Sequence, residues 1–522
     1  MESLTDIRAL GDIVRHHAAV RPDKVAMRFL GRATTYAELN QRADRLCAAL
    51  AALGIGTGDR VALLTKNNDR WFELFFATAK LGAVLVPVNF RLAPPEVAYV
   101  VNDSRAKLFV VGRDFYDLAE GIRSDLSTVA SFVAFDGGHG KWPDYAAWRD
   151  GAAPADPLTP VAETDVAIQM YTSGTTGHPK GAQLTHVGFI ALFRIWSEIT
   201  RFDDQQVLNV VMPLFHVAGS EWGKLGLFYG AEIVIEPEVD PAAILKGIET
   251  HKVTKALFVP AVILFLLQHP DCAGTDFSSL DEIYYGASPI PLPLLQQAVA
   301  RIGCGFMQLY GLTETSGAIT WLPREDHSPQ GAPRMKSCGK ALPTAAIRVV
   351  DANGDDVPPG TVGEIICRSV QNMAGYWNLP EANAQAFRTG GWFHSGDAGY
   401  LDADGFVYIH DRVKDMIVSG GENVYPAEVE SALFGHPAVA DVAVIGVPDE
   451  TWGEAVKAIV VLKPGESAGA DELIAYARER IAGYKVPRSI DFASELPRNP
   501  SGKILKRELR IPYWEGRDRQ VG

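Results

Sequence analysis

Nine consecutive residues, Ser173-Gly-Thr-Thr-Gly-His-Pro-Lys-Gly181, gather hydroxyls, glycines and one lysine. They follow the apolar run Val166-Ala-Ile-Gln-Met-Tyr171, which reads as a buried strand. A loop of this composition at a strand end turns backbone N–H groups, hydroxyls and an ammonium onto a phosphate. Its spacing differs from the widespread pattern G-x-x-x-x-G-K-[ST], because Lys180 is followed by Gly181 and no Ser or Thr comes next. Three more strand ends break into polar or glycine-rich turns. Asn209-Val-Val-Met212 stops at Pro213-Leu-Phe-His-Val-Ala-Gly219, Glu282-Ile-Tyr-Tyr285 at Gly286-Ala-Ser-Pro289, and Phe306-Met-Gln-Leu-Tyr310 at Gly311-Leu-Thr-Glu314. In open α/β sheets, ligands collect at the carboxyl ends of strands.

The elements that must position these turns follow a strand–helix rhythm. Thr35 and Glu38 form a capping box that opens a helix running through Leu46 and Leu50. Val61–Thr65 reads as a strand, Trp71–Leu81 as a helix and Ala83–Pro87 as another strand. This alternation predicts an α/β layered domain with a mostly parallel sheet. The Pro- and Ala-rich residues Ala152–Thr164 read as a surface linker. From about Arg348 the runs are shorter and of β type, as in Gly363–Cys367 and Phe406–His410. The charged connection Asp411-Arg-Val-Lys-Asp415 then precedes a compact α+β unit with a helix over Pro426–Phe434. The expected organisation is a large layered α/β domain (1–411), a hinge (412–415) and a smaller mobile α+β domain (416–522).

Composition narrows the function. Forty-nine basic and 63 acidic residues leave a net charge of −14, which disfavours nucleic acid or an anionic membrane as the main partner. The five cysteines form no C-x-x-C pair, so neither a zinc site nor a disulfide framework is expected. The first residues, Met1-Glu-Ser-Leu-Thr-Asp, are acidic where a secretory signal is basic, and a cytoplasmic location is expected. The longest apolar run, Ala256–Leu267, holds Pro260 and is too short to span a bilayer. Peripheral membrane contact stays open.

Six motifs stand in one order along nearly the whole chain. They are Tyr171-Thr-Ser-Gly-Thr-Thr-Gly-His-Pro-Lys-Gly181, Gln308-Leu-Tyr-Gly-Leu-Thr-Glu-Thr315, Gly391-Trp-Phe-His-Ser-Gly-Asp397, Asp411-Arg-Val-Lys-Asp415, Ser419-Gly-Gly-Glu-Asn-Val-Tyr-Pro426 and Pro497-Arg-Asn-Pro-Ser-Gly-Lys-Ile504. Together they resemble the adenylate-forming superfamily of acyl- and aryl-CoA ligases, luciferases and peptide-synthetase adenylation domains. The nearest likeness is to bacterial fatty-acyl-CoA ligases. The resemblance implies a two-step reaction. A carboxylate attacks the α-phosphate of ATP to give an acyl-adenylate and pyrophosphate, and the thiol of coenzyme A then displaces AMP.

The same resemblance distributes roles. Thr172, Ser173, Gly174, Thr175, Thr176 and Lys180 would hold the β- and γ-phosphates. Thr313 would donate to the α-phosphate, and Glu314 would be the Mg²⁺ carboxylate. Gly286, Ala287, Ser288, Gln308, Leu309 and Tyr310 would form the adenine slot, with Tyr310 as its aromatic face. Asp397 would take the ribose hydroxyls, Arg412 a second ribose or phosphate contact, and Asn423 would reach the AMP. Lys503 would swing into the site and balance charge at the reacting centre. Lys414 would be the hinge, and Ser419, Gly420 and Gly421 would border a tunnel for the pantetheine arm. His216 would gate the acyl pocket.

On the substrate side, Gly311, Gly219, Gly286 and Gly317 read as leaving space, the pocket wall reads as apolar, and Trp222 reads equally as pocket floor or core. The expected substrate is a medium- or long-chain fatty acid or an aryl acid, and a homodimer is the expected assembly. Three rivals remain: a free-standing adenylation enzyme that loads a carrier protein, a luciferase-like oxidase, and a nucleotide-sensing scaffold.

Overall fold

The computed structural model describes residues 4–172, 179–288, 290–412, 415–419, 422–449, 452–498 and 504–515; for 410–412, 422–423 and 453 it describes the backbone alone. Two large sheets organise the first three-quarters of the chain. One has seven strands, in the order Gly375–Tyr376, Lys180–Thr185, Val166–Thr172, Val84–Val88, Arg60–Leu64, Ala106–Val111 and Ser131–Ala134. The other has nine, in the order Lys340–Ala341, Gly317–Leu322, Gly305–Leu312, Glu282–Gly286, Lys255–Phe258, Val207–Val210, Glu232–Ile235, Val25–Phe29 and Arg32–Thr35. Both are parallel in the middle and antiparallel at an edge. The expected α/β class and the strand–helix rhythm are therefore present.

The helices Arg70–Leu81 and Val217–Phe228 pack against one another between the sheets: a Cβ on Gly223 would lie 2.5 Å from the Phe72 ring. Trp71, Phe72, Phe75 and Phe76 are all buried there. Each such ring contributes about 1.5–3 kcal/mol of burial free energy. Helix Tyr36–Ala52 opens on the predicted capping box, in which Thr35 Oγ1 accepts from Glu38 N and Glu38 Oε2 accepts from Thr35 N. The linker 152–164 is pinned by Asp156, whose carboxylate accepts from Arg15 at 2.7 Å and from Lys80 at 3.3 Å.

A five-stranded sheet follows, in which Val407–Arg412 pairs with Trp392–Leu401. The smaller C-terminal unit has its own five-stranded sheet, with Ile417–Ser419 and Gly453–Leu462 among its strands, and helix Pro426–Phe434 lies on it. Its core includes Ile417, Val429, Leu433, Val444 and Val460. Arg510 of the last helix, Lys506–Trp514, holds Asp415 at 2.6 Å. Among the described residues no helix is long and apolar enough to cross a membrane.

Candidate active site

An antiparallel pair of strands flanks the phosphate-type stretch on both sides. Val166–Thr172 and Lys180–Thr185 run antiparallel, and Thr172 and Lys180 are the last paired residues before it. Ala167, Ile168 and Met170 anchor the first strand in the core. Ser173, Gly174, Thr175 and Thr176 lie outside the described residues. Strand Lys180–Thr185 runs directly into helix His186–Ile199.

Glu314 stands opposite the hairpin, in a single turn (Thr313–Thr315) that directly follows strand Gly305–Leu312. The strand runs two residues past its predicted end at Tyr310, because Gly311 and Leu312 pair with Ala318 and Gly317 of the returning strand. Glu314 is 9% exposed, and its Oε1 accepts from Thr172 Oγ1 at 3.3 Å and from Tyr376 Oη at 2.8 Å. Lys180 Nζ sits 5.2 Å from the centre of the Tyr376 ring. Tyr376 thus joins the hairpin lysine to the carboxylate, and nothing in the sequence reading pointed to it. It is positioned by a short strand against Ala182, by Asn383 accepting from its N–H at 2.6 Å, and by Trp377 N donating to Gly181 O. Among the described residues no cluster of His, Cys, Asp and Glu could cage a metal alone. One oriented carboxylate beside a phosphate loop is a donor set for Mg²⁺, which keeps several waters and is held largely by phosphates.

Several residues of the other motifs are paired with one another. Gly286 and Leu309 lie side by side in parallel strands. Ala287 follows with φ of 66°, in the left-handed region that costs a non-glycine residue about 1 kcal/mol or more. Tyr310 Oη donates to Asp397 Oδ2 at 2.7 Å, and both residues are nearly buried. Asp397 is held in turn by its own N–H donating to Ser395 Oγ at 3.0 Å. Gln308 Oε1 accepts from Tyr285 Oη at 3.3 Å. Arg412 pairs with Asp397 along the backbone, and Asn423 pairs with Val418. Ser419 is buried beside them on the Val418 strand. Lys414, Gly420, Gly421 and Lys503 lie outside the described residues.

His216 caps helix Val217–Phe228, with its ring 4.4 Å from that of Phe215. Its Nε2 is buried without a hydrogen-bond partner. Burial, helped by the charge of Arg91, pushes the imidazole down to about 4, so it is neutral near pH 7.

One substrate-side expectation needs correction, and one open alternative is decided. Trp222 is core: it is 2% exposed, donates to Asn209 O at 3.0 Å and packs on Tyr284. Gly311, Gly286 and Gly219 do not leave space, because a Cβ at each would run into a backbone carbonyl, that of Gly317, Leu309 or Met212. These glycines let two backbones touch. Glu221 and Lys224 are buried on the same helix as His216, and a Cβ on Gly317 would lie 3.4 Å from Glu221 Cγ.

Comparison with known proteins identifies the family. The family model of AMP-binding enzymes matches residues 14–377, and that of the AMP-binding enzyme C-terminal domain matches 428–503. The chain is 38% identical to a fatty acid–[acyl-carrier-protein] ligase, ScoC, of Streptomyces coeruleorubidus, covering 99% of this chain and 98% of that one. It is 40% identical to a feruloyl-CoA synthase of Amycolatopsis sp, covering 96% and 99%. The crystal structure of the anthranilate CoA ligase AuaEII in complex with anthranoyl-AMP superposes with a TM-score of 0.91 at 29% identity, covering 97% of both chains.

Proposed function

This chain belongs to the family of AMP-binding enzymes, and we propose that it activates a hydrophobic carboxylic acid, fatty or aryl, as an acyl-adenylate and passes it to coenzyme A. The observation that carries this reading is the convergence of Thr172, Lys180, Tyr376 and Glu314 on one side of the Gly305–Leu312 strand end with the Tyr310–Asp397 pair on the other.

In the first step a carboxylate oxygen bonds to the α-phosphorus as the bond to pyrophosphate breaks. The obstacle is repulsion between two anions, so the protein's task is to place positive charge and hydrogen-bond donors. Lys180 and the hydroxyls of the hairpin bind the leaving pyrophosphate, and Thr313 donates to the α-phosphate. Glu314, oriented by Thr172 and Tyr376, would hold Mg²⁺, and the ion would supply positive charge against the phosphates. Asp397 accepts from the ribose hydroxyls while Tyr310 faces the adenine, and Arg412 and Asn423 complete the nucleotide site. Lys503 balances charge at the reacting carboxylate.

In the second step the thiol sulfur bonds to the acyl carbon and the carbon–oxygen bond to AMP breaks. A rotation at 412–415, with Lys414 as pivot, brings Ser419, Gly420 and Gly421 of the C-terminal unit (416–522) to the thiol tunnel in place of Lys503. His216, neutral near pH 7, gates the acyl pocket. Both co-substrates fit a cytoplasmic enzyme.

A second reading, transfer to a carrier protein, is favoured by the likeness to an acid–[acyl-carrier-protein] ligase along nearly the whole chain. One experiment decides between them. The enzyme is given ATP, Mg²⁺ and a panel of fatty and aryl acids, with coenzyme A, with a phosphopantetheinylated carrier protein, or with neither, and the products are read by mass. The proposal expects adenylate without an acceptor and a thioester on coenzyme A. Thioester on the carrier alone supports the second reading, and absence of pyrophosphate release with every acid overturns both.

A further inference from the structure

Helix Val217–Phe228 is buried between the nine-stranded sheet and the helices Leu10–Val20, Arg70–Leu81 and His186–Ile199, yet it carries two ionisable side chains. Lys224 is 0% exposed, its Nζ has no hydrogen-bond partner, and it rests 3.6 Å from the Phe189 ring centre. Glu221, one turn earlier, keeps 5% of its surface accessible and makes no salt bridge within 4.0 Å to Lys224. It faces Gly317, two residues after the Thr313–Thr315 turn, beside Leu192. An isolated buried charge is expensive, and a fold keeps such groups where a ligand or a partner satisfies them.

Glu221 is five residues further along the helix than His216, an offset of about 7–8 Å along the helix axis at 1.5 Å per residue. That distance matches one aromatic ring with a short side arm, or a carbon chain of about seven atoms.

We infer that Glu221, backed by Lys224, is a specificity determinant at the far end of the acid pocket, and that the substrate carries a distal hydroxyl group that hydrogen-bonds to the Glu221 carboxyl. The inference rests on the ligase reading above and narrows its substrate class. Burial pushes the Glu221 carboxyl up to about 8 and the Lys224 ammonium down to about 7, each partly offset by the other. A hydroxyl both donates and accepts, so it fits the carboxyl in either protonation state. An ammonium would fit only the carboxylate and would place a second cation beside Lys224.

The test measures kcat/KM for pyrophosphate release with three cinnamic acids (unsubstituted, para-hydroxy, para-amino) and three octanoic acids (unsubstituted, ω-hydroxy, ω-amino). The wild type is expected to prefer each hydroxy acid over its parent by about 10–100-fold, because a buried polar group left unpaired by the parent is costly. Glu221→Leu is expected to lose that preference and to gain on the parent acids, and Lys224→Met to weaken the preference while retaining turnover. Preference for the parent or the amino acid in the wild type, or an unchanged ratio in Glu221→Leu, overturns the inference. If Glu221→Leu fails to fold, the wild-type ranking alone decides. Turnover of parent acids without hydroxyl preference leaves the ligase reading standing, whereas silence with all six acids overturns both.

Discussion

Tyr376 donates a 2.8 Å hydrogen bond to Oε1 of Glu314, and its ring lies 5.2 Å from Lys180 Nζ, so one side chain couples the hairpin lysine to the carboxylate opposite. The two residues are 62 positions apart in the chain. The bond orients Glu314 by occupying the same oxygen that Thr172 reaches.

Tyr376→Phe removes that hydroxyl and keeps the ring over Lys180. A hydrogen bond to a charged group contributes about 1.5–3 kcal/mol. The expected outcome is a fall in kcat/KM for MgATP of about 10–100-fold, with a raised Mg²⁺ requirement and a melting temperature within a few degrees of wild type. A fall in activity without any change in Mg²⁺ dependence would show that Tyr376 does not act through Glu314.

The Tyr310–Asp397 bond gives a second expectation. Asp397→Asn can still accept from Tyr310, but it loses the charge-assisted contact to the ribose hydroxyls proposed above. The KM for ATP should rise about tenfold or more, while the KM for the acid stays near wild type. Titration with 2′-deoxy-ATP sharpens the test, since wild type should discriminate against it and Asp397→Asn should not.

The sequence disclosed the strand ends because apolar runs stop there at Gly, Pro, Ser and Thr. Those turns do face one another: Thr172, Glu314, Tyr310 and Asp397 meet in pairs. Tyr376 was hidden because its role depends on tertiary pairing of a two-residue strand with Ala182, which leaves no local periodicity. Glu221 and Lys224 were hidden for another reason. On a lone helix they would mark a solvent face, but this helix is buried between the nine-stranded sheet and other helices. The glycines misled because a missing side chain looks the same in sequence whether it opens a pocket or lets two backbones touch. Only the positions of Gly317 O and Leu309 O separate the two uses.

Two buried histidines predict acid sensitivity. Burial lowers His216 and His186 from 6.5 to about 4. Between those values the unfolded chain takes up protons that the native imidazoles refuse, so this contribution is complete above pH 6.5 and lost as pH falls toward 4. By pH 5 each should have cost on the order of 2 kcal/mol. Melting temperature followed from pH 7.5 to 5 should therefore drop, and His216→Phe should make the slope shallower. An equal slope in that variant would remove His216 from the account.

The last expectation separates the two half-reactions. Lys503 lies outside the described residues, and its role rests on the motif Asn499-Pro-Ser-Gly-Lys503 near the chain end. If it balances charge only while the carboxylate meets the α-phosphate, Lys503→Ala should slow adenylate formation by about 10²–10³, as loss of a preorganised donor does. Thioester formation from supplied acyl-adenylate should stay within a few-fold of wild type. Lys414→Pro should do the reverse, because a fixed φ and a missing N–H hinder rotation at the hinge while leaving the adenylating arrangement accessible. Measured side by side, the two variants should show opposite losses. If both half-reactions fall together in Lys503→Ala, the lysine serves a common step or the fold, and the two-position model of the C-terminal unit fails with it.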